Sequence, residues 1–249
     1  MKVLVLGATG GTGRRLVEQA LAQGHVVTAF ARNPGKIQTE HSNLKVAHGD
    51  ILRPESLEPA IQGQDAVLSA LGVRVSAIGI VLIVVASQLI AKFAHLAGPL
   101  SYLLTIGAPI AAILFFARRT TTLSEGTRNV VRVMEKLGVK RFICESSLGI
   151  GDSKGQLGPV YNFIVIPVLL RGIFADKEVQ ETIIKESSLE WVIVRPGALT
   201  NGPRTRKYRA GFANDRSIRG RISRSDVADF MLLQLLDDTY LDKTPGLSY

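Results

Sequence analysis

Near the N-terminus, residues 7–13 read GATGGTG and place three glycines, Gly7, Gly10 and Gly13, at intervals of three. They follow a short apolar run, KVLVL at 2–6, and lead into RRLVEQALAQG, where Leu16, Val17, Ala20 and Leu21 recur at helical spacing. Glycines between a strand and a helix allow a tight turn and let backbone N–H groups approach a pyrophosphate at the positive end of the helix. Thr9, Gly11 and Thr12 complete the loop. The spacing is G-x-x-G-x-x-G rather than the commoner G-x-G-x-x-G, and in this context it points to dinucleotide binding. The end of the second apolar run, HVVTAFAR, selects the dinucleotide. An acid there would bind the adenosine ribose 2′-hydroxyl and repel a 2′-phosphate. This chain instead has Arg32, followed by Asn33 and Lys36. A fork of guanidinium donors suits a phosphate dianion, so the expected cofactor is NADP(H).

The rest of the chain supplies the elements that must hold this loop. LKVAHGD (44–50) reads as a third strand, 54–62 as a helix, and DAVLSALG (65–72) as a fourth strand. A helix over 123–137 follows, with Thr120–Thr122 as its N-caps, then a strand at RFICESS (141–147). DKEVQETIIKESS (176–188) is an amphipathic helix, WVIVRPG (191–197) a strand, and SRSDVADFMLLQLL (223–236) a helix with a Ser cap. Strands alternating with helices predict an α/β fold, a Rossmann-like doubly wound parallel sheet in a single domain formed by 1–74 and 118–249.

Residues 75–117 break that rhythm, with 31 apolar residues in 43 positions and one formal charge, Lys92. The uncharged runs 75–91 and 93–117 are 17 and 25 residues long, against about 20 needed for a membrane span. Lys92, His95 and Gly98-Pro99 offer a polar turn between them, and Arg74 and Arg118-Arg119 put basic charge on one side. An inserted apolar helical hairpin is expected, anchoring the domain to the cytoplasmic face of a membrane or docking on a membrane protein complex. A buried hairpin serving as a lid or an oligomer interface is the alternative.

Composition narrows the rest. The chain has 249 residues and one cysteine, Cys144, so no internal disulfide forms. Its four histidines, at 25, 41, 48 and 95, pair with no acid or Cys at metal-ligand spacing, and no metal is expected. The opening MKVLVLGATGG lacks the long apolar region of an export signal and reads as strand. Of the net charge of +9, the window 204–224 carries +7, with eight basic residues against Asp215. That window suits phosphorylated ligands or anionic lipid. No zinc-finger spacing or RNP-like motif accompanies it, so no nucleic-acid partner is expected.

GATGGTG, Arg32-Asn33, Gly49-Asp50, Ala70-Leu71-Gly72, Ser146-Ser147 and Arg195-Pro196-Gly197 together resemble the atypical short-chain dehydrogenase/reductases. Within them the chain looks most like the NAD(P)H-binding group that includes flavin reductase/biliverdin reductase B. TTTLSEGTRNVVRVM, LTNGPRTRKYRAG and ISRSDVADFMLLQL extend the likeness through the second half. The resemblance implies NADPH bound across the strand C-termini and reduction of a planar, conjugated small-molecule acceptor. It implies that Asp50 and Ile51 flank the adenine and that Ala70, Leu71 and Gly72 line the path toward the nicotinamide. Ser146 and Ser147 would end the strand beneath that ring, with Pro196, Gly197 and Ala198 opposite. The family's proton donor is a Tyr with Lys four residues later, and no Tyr here has that partner. The biliverdin-reductase-like members carry a His where this chain has Ala198. Ser147 and Lys177 remain as catalytic candidates. A flavin or quinone tolerates that loss, because solvent can supply the proton. The competing reading is a non-catalytic NADP(H)-binding sensor or scaffold subunit of a membrane complex.

Overall fold

The computed structural model describes residues 1–72, 120–158, 161–213, 215 and 217–249. The stretch 75–117, and with it the expected hairpin, lies outside them. Among the described residues no helix is long and apolar enough to cross a membrane.

Strand β1 (Lys2–Leu6) sits at the centre because Val3, Leu4, Val5 and Leu6 are all fully buried, which requires cover on both faces of the sheet. β2 (Val26–Ala31) and β3 (Leu44–His48) lie on one side of it; β4 (Ala66–Ser69), β5 (Arg141–Glu145) and β6 (Glu190–Pro196) lie on the other. All are parallel, in the order β3-β2-β1-β4-β5-β6. Four short strands follow in the chain: β7 (Ala198–Thr200), β8 (Arg209–Gly211), β9 (Arg221–Ser223) and β10 (Gly246–Ser248). β10 continues the sheet parallel to β6, β8 closes that edge antiparallel, and β7 and β9 form a separate parallel pair. Helices α1 (Gly11–Ala22) and α5 (Arg224–Leu233) cover one face, packing Leu16, Val17, Ala20, Val227 and Met231 against Val3, Val5, Val27 and Val194. Helices α2 (Pro54–Ile61), α3 (Thr122–Leu137) and α4 (Arg171–Lys185) cover the other, where Leu57, Val130, Met134 and Ile184 meet Leu4, Leu6, Phe142 and Trp191. This is the expected single doubly wound domain.

Some boundaries differ from the sequence reading for physical reasons. Of the threonine run at 120–122, Thr121 occupies the α3 N-cap without a side-chain bond, and Thr120 Oγ1 accepts the first helical amide, Thr122 N, at 3.3 Å. Asp176 of α4 caps the next two, accepting from Leu123 N at 2.9 Å and Ser124 N at 3.0 Å. A buried carboxylate at a helix N-terminus outcompetes a hydroxyl because it also meets the helix dipole. α4 begins at Arg171, five residues before the expected start, because a π-helical run, Tyr161–Leu170, already winds the chain ahead of it. At α5 the expected serine cap is present, Ser223 Oγ accepting from Asp226 N at 3.0 Å. β7 to β10 escape a reading by alternation because each has only three residues.

Candidate functional site

β1 and β4 are neighbours whose crossovers run to opposite sides, so a crevice opens at their C-terminal ends. Gly7 turns the chain out of β1 at φ +76°, and a Cβ there would lie 2.5 Å from Ala70 O at the end of β4. Gly13 seats α1 on that turn, since its Cβ would overlap the Gly7 carbonyl oxygen. Gly10 N donates to Gly7 O at 2.8 Å and closes the loop. Arg14 N, bonded to Gly10 O at 3.0 Å, is the first α1 amide with a helical acceptor. Among the described residues the Gly11, Thr12 and Gly13 amides have none, and α1 carries neither a side-chain cap nor an acid in its first turn. Free amides at an uncapped helix start, behind a turn that admits no side chain, fit a pyrophosphate.

A cavity of about 460 Å³ runs along this crevice. Gly7, Thr9, Gly10, Arg32, Asp50, Ile51, Ala70, Leu71 and Gly72, all singled out in the sequence, line it together with Phe30, Ala31, Lys36, Gly49, Thr122 and Leu123. Arg32 follows β2 and Asp50 and Ile51 follow β3, whose last residues Ala31 and His48 pair, so these lining residues leave adjacent strand ends. Asp50 also fixes its own loop, accepting from Leu52 N at 3.1 Å, and Ile51 O accepts from Asn129 Nδ2 at 3.0 Å. Asn33, Gly11, Thr12 and Gly13 do not line the cavity, and neither do Ser146, Ser147, Pro196, Gly197 or Ala198. Gly197 is packed instead on Gly220, whose carbonyl would lie 2.5 Å from a Cβ there, and Ala198 N donates to the same carbonyl at 2.8 Å.

At the end of β5 both serine hydroxyls are hydrogen-bonded, and Ser146 belongs to a buried polar network. Ser146 Oγ donates to Glu181 Oε1 at 2.7 Å, and Ser147 Oγ donates to Leu148 O at 3.1 Å. Glu181 also receives Nε and a terminal nitrogen of Arg195, at 3.0 and 2.6 Å, while another Arg195 nitrogen bonds Asp152. Burial alone would push the Glu181 carboxyl up, but Arg195 and the Ser146 hydroxyl overcome it and hold it below the usual range. Lys177 is buried too, its Nζ donating to Ser146 O at 3.0 Å and Glu145 O at 3.5 Å. Desolvation lowers its pKa, against the pull of the nearby Glu145. Glu145 in turn is pushed up by burial and accepts from Thr12 Oγ1 at 3.1 Å, which ties β5 to the glycine loop. Four residues ahead of Lys177 stands Ile173, where the family pattern has tyrosine.

The basic window 204–224 is partly neutralised by α5. Arg204 Nε meets Asp229 Oδ1 at 2.7 Å and Arg206 Nε meets it at 3.4 Å. Asp226 Oδ1 accepts the backbone amides of Thr205 and Arg206 at 2.7 and 2.8 Å. These pairs fold the loop onto the domain, so its net charge overstates what it presents to a partner.

Comparison with known proteins agrees with this geometry. The chain matches the model of the NAD(P)H-binding family over residues 7–97 and 106–238. It is 31% identical over 246 residues to an uncharacterised chloroplastic protein of Arabidopsis thaliana, covering 95% of this chain and 72% of that one. A shorter stretch of 71 residues is 41% identical to the photosystem II assembly factor Ycf39 of Synechocystis, covering 28% of this chain and 22% of Ycf39. Among solved structures, ChuY, an anaerobillin reductase of Escherichia coli O157:H7, superposes with a TM-score of 0.70 at 21% identity, covering 99% of this chain and 96% of ChuY. With a matching family model over most of its length and a Rossmann-like fold whose glycine turn opens onto free helix amides, the chain belongs to the NAD(P)H-binding family.

Proposed function

We propose that this protein is an NADPH-dependent reductase of a conjugated acceptor, a flavin, quinone or similar molecule. The observation that carries the reading is the commitment of both serine hydroxyls at the end of β5, beside a buried Lys177 with Ile173 at the position of the family's tyrosine. Ordinary ketone reduction needs a positioned proton donor at the reacting oxygen. A conjugated acceptor spreads the incoming charge and takes its proton from water. NADPH, when bound, supplies the hydride. The chain supplies the rest: the α1 amides would hold the pyrophosphate, Arg32 and Lys36 would face the 2′-phosphate, and the Glu181–Arg195 pair keeps the β5 end rigid.

Two measurements test it. NADPH oxidation should proceed with flavins or quinones and not with aliphatic ketones. Tight NADPH binding without turnover of any acceptor would overturn it in favour of a non-catalytic NADP(H)-binding sensor or assembly subunit, which the segment similar to Ycf39 supports. Arg32→Ala should weaken NADPH binding about tenfold, the worth of one charge-assisted contact to phosphate, and leave NADH within about twofold. Equal loss for both nucleotides would remove Arg32 from the 2′-phosphate.

For residues 75–117 the composition supports contact with a membrane or a membrane protein complex, and hence a lipophilic acceptor reaching the cofactor beside Gly72. Alkaline carbonate washing of isolated membranes should leave the protein in the pellet. Release into the supernatant would overturn the embedded hairpin.

A further inference from the structure

Arg224, the first residue of α5, reaches across to the first residue of α1. A Cβ built on Gly11 would lie 2.5 Å from Arg224 Cδ and 2.7 Å from Nε, so the guanidinium stem rests directly on the backbone of the helix start. The base of α5 is fixed to α1 by Gln19 Nε2, which donates to Ser225 O at 2.9 Å. Arg141, Arg195, Arg204 and Arg206 each face a carboxylate. Arg224 faces none within 4 Å among the described residues, and its single side-chain bond there is to a neutral acceptor, Asn201 Oδ1, at 2.8 Å. A guanidinium has five N–H donors, so most of its capacity is left uncommitted beside an uncapped helix N-terminus.

The loop beneath it lacks a cation of its own. Residues 7–13 are uncharged, and the hydroxyl proton of Thr12 is already given to Glu145. A pyrophosphate bearing two negative charges would meet backbone amides and the Thr9 hydroxyl but no positive charge from the loop, unless another element brings a positive group. We propose that Arg224 is that group, a ligand of the cofactor pyrophosphate that draws α5 into the binding site. This rests on the reading of the loop as an NAD(P)H site and adds a residue to it. It also accounts for Gly11, whose missing side chain leaves the space in which the arginine lies.

The pyrophosphate is common to NADPH and NADH, whereas the 2′-phosphate is common to NADPH and adenosine 2′-monophosphate. Calorimetric titration of all three ligands therefore separates the two ends of the site. Arg224→Gln should weaken NADPH and NADH alike by about tenfold or more, and leave adenosine 2′-monophosphate unchanged. Arg32→Ala should weaken NADPH and adenosine 2′-monophosphate and spare NADH. Arg224→Lys, which keeps the charge and loses the fork, should fall between wild type and Arg224→Gln. Unchanged NADPH and NADH affinity in Arg224→Gln overturns the proposal. So does equal weakening of adenosine 2′-monophosphate, which marks Arg224 as a support of the fold. Wild-type protein that binds neither dinucleotide overturns the underlying reading as well, before any variant is compared.

Discussion

Arg195→Met is expected to lower the free energy of unfolding by about 3–5 kcal/mol, because it strands a carboxylate inside the protein. Arg195 is 1% exposed and Glu181 2%, and the guanidinium bonds both Glu181 oxygens. Without it, Glu181 keeps, among the described residues, only the Ser146 hydroxyl and a distant Lys185, at 3.4 Å. Acid makes the effect diagnostic. In the wild type the Glu181 pKa lies below its ordinary value, since Arg195 and Ser146 outweigh burial. Its contribution is therefore fully present above the unfolded pKa of about 4.3, and is lost as pH falls through the lower folded value. In Arg195→Met burial is opposed only by the Ser146 hydroxyl and Lys185 and raises the folded pKa, so protonation of Glu181 stabilises the variant relative to its own state at pH 7. Urea denaturation of both proteins at several pH values should show the gap between them narrowing as pH drops from 7 to 4. A loss under about 1 kcal/mol, or a gap that does not change with pH, shows that the pair carries no such burden.

The same network marks where the sequence stops being readable. Gly7, Gly10, Gly13 and Arg32 are legible because their meaning is local: the glycines span the turn from β1 into α1, Arg32 follows β2, and the ends of β1, β2 and β4 must converge in a parallel sheet. The Thr12–Glu145 bond joins residues 133 apart, and Arg204 meets Asp229 across 25, so neither pairing has a spacing to read. Weak signals existed. Glu145 in RFICESS and Arg195 in WVIVRPG are charges inside apolar strands, which demand partners when buried. Lys177 and Glu181 stand four apart, on one face of a helix. The resemblance put Ser146 under the nicotinamide, but only the structure shows where its proton goes. The basic window looked free because its acids, Asp226 and Asp229, follow it in the chain. Pro196, Gly197 and Ala198 lie off the cavity because Gly197 is needed against Gly220.

Gly13→Ala is expected to weaken NADPH binding by about 100-fold and to cost about 3 kcal/mol of stability, the upper end for overpacking. The added methyl would overlap the Gly7 carbonyl oxygen and lie 2.7 Å from its carbon, and neither atom can yield cheaply. That oxygen already accepts Gly10 N–H at 2.8 Å, so pushing it aside opens the turn that aims the amides. Moving Gly7 the other way drives it toward Ala70 O, 2.5 Å from where its own Cβ would stand. The remaining relief is to lift α1 off β1, which withdraws the free amides of Gly11, Thr12 and Gly13 from the crevice. Gly24→Ala is the control. Gly24 has φ +79° but nothing within 4 Å of its Cβ position, so only left-handed backbone strain is added, about 1–2 kcal/mol. That variant should lose stability and keep NADPH affinity, which separates a damaged site from a weakened fold. NADPH titration and urea denaturation of both variants decide the matter. Gly13→Ala protein that binds NADPH within about threefold of wild type, a difference under 1 kcal/mol, would mean that the cofactor phosphates do not rest on the start of α1.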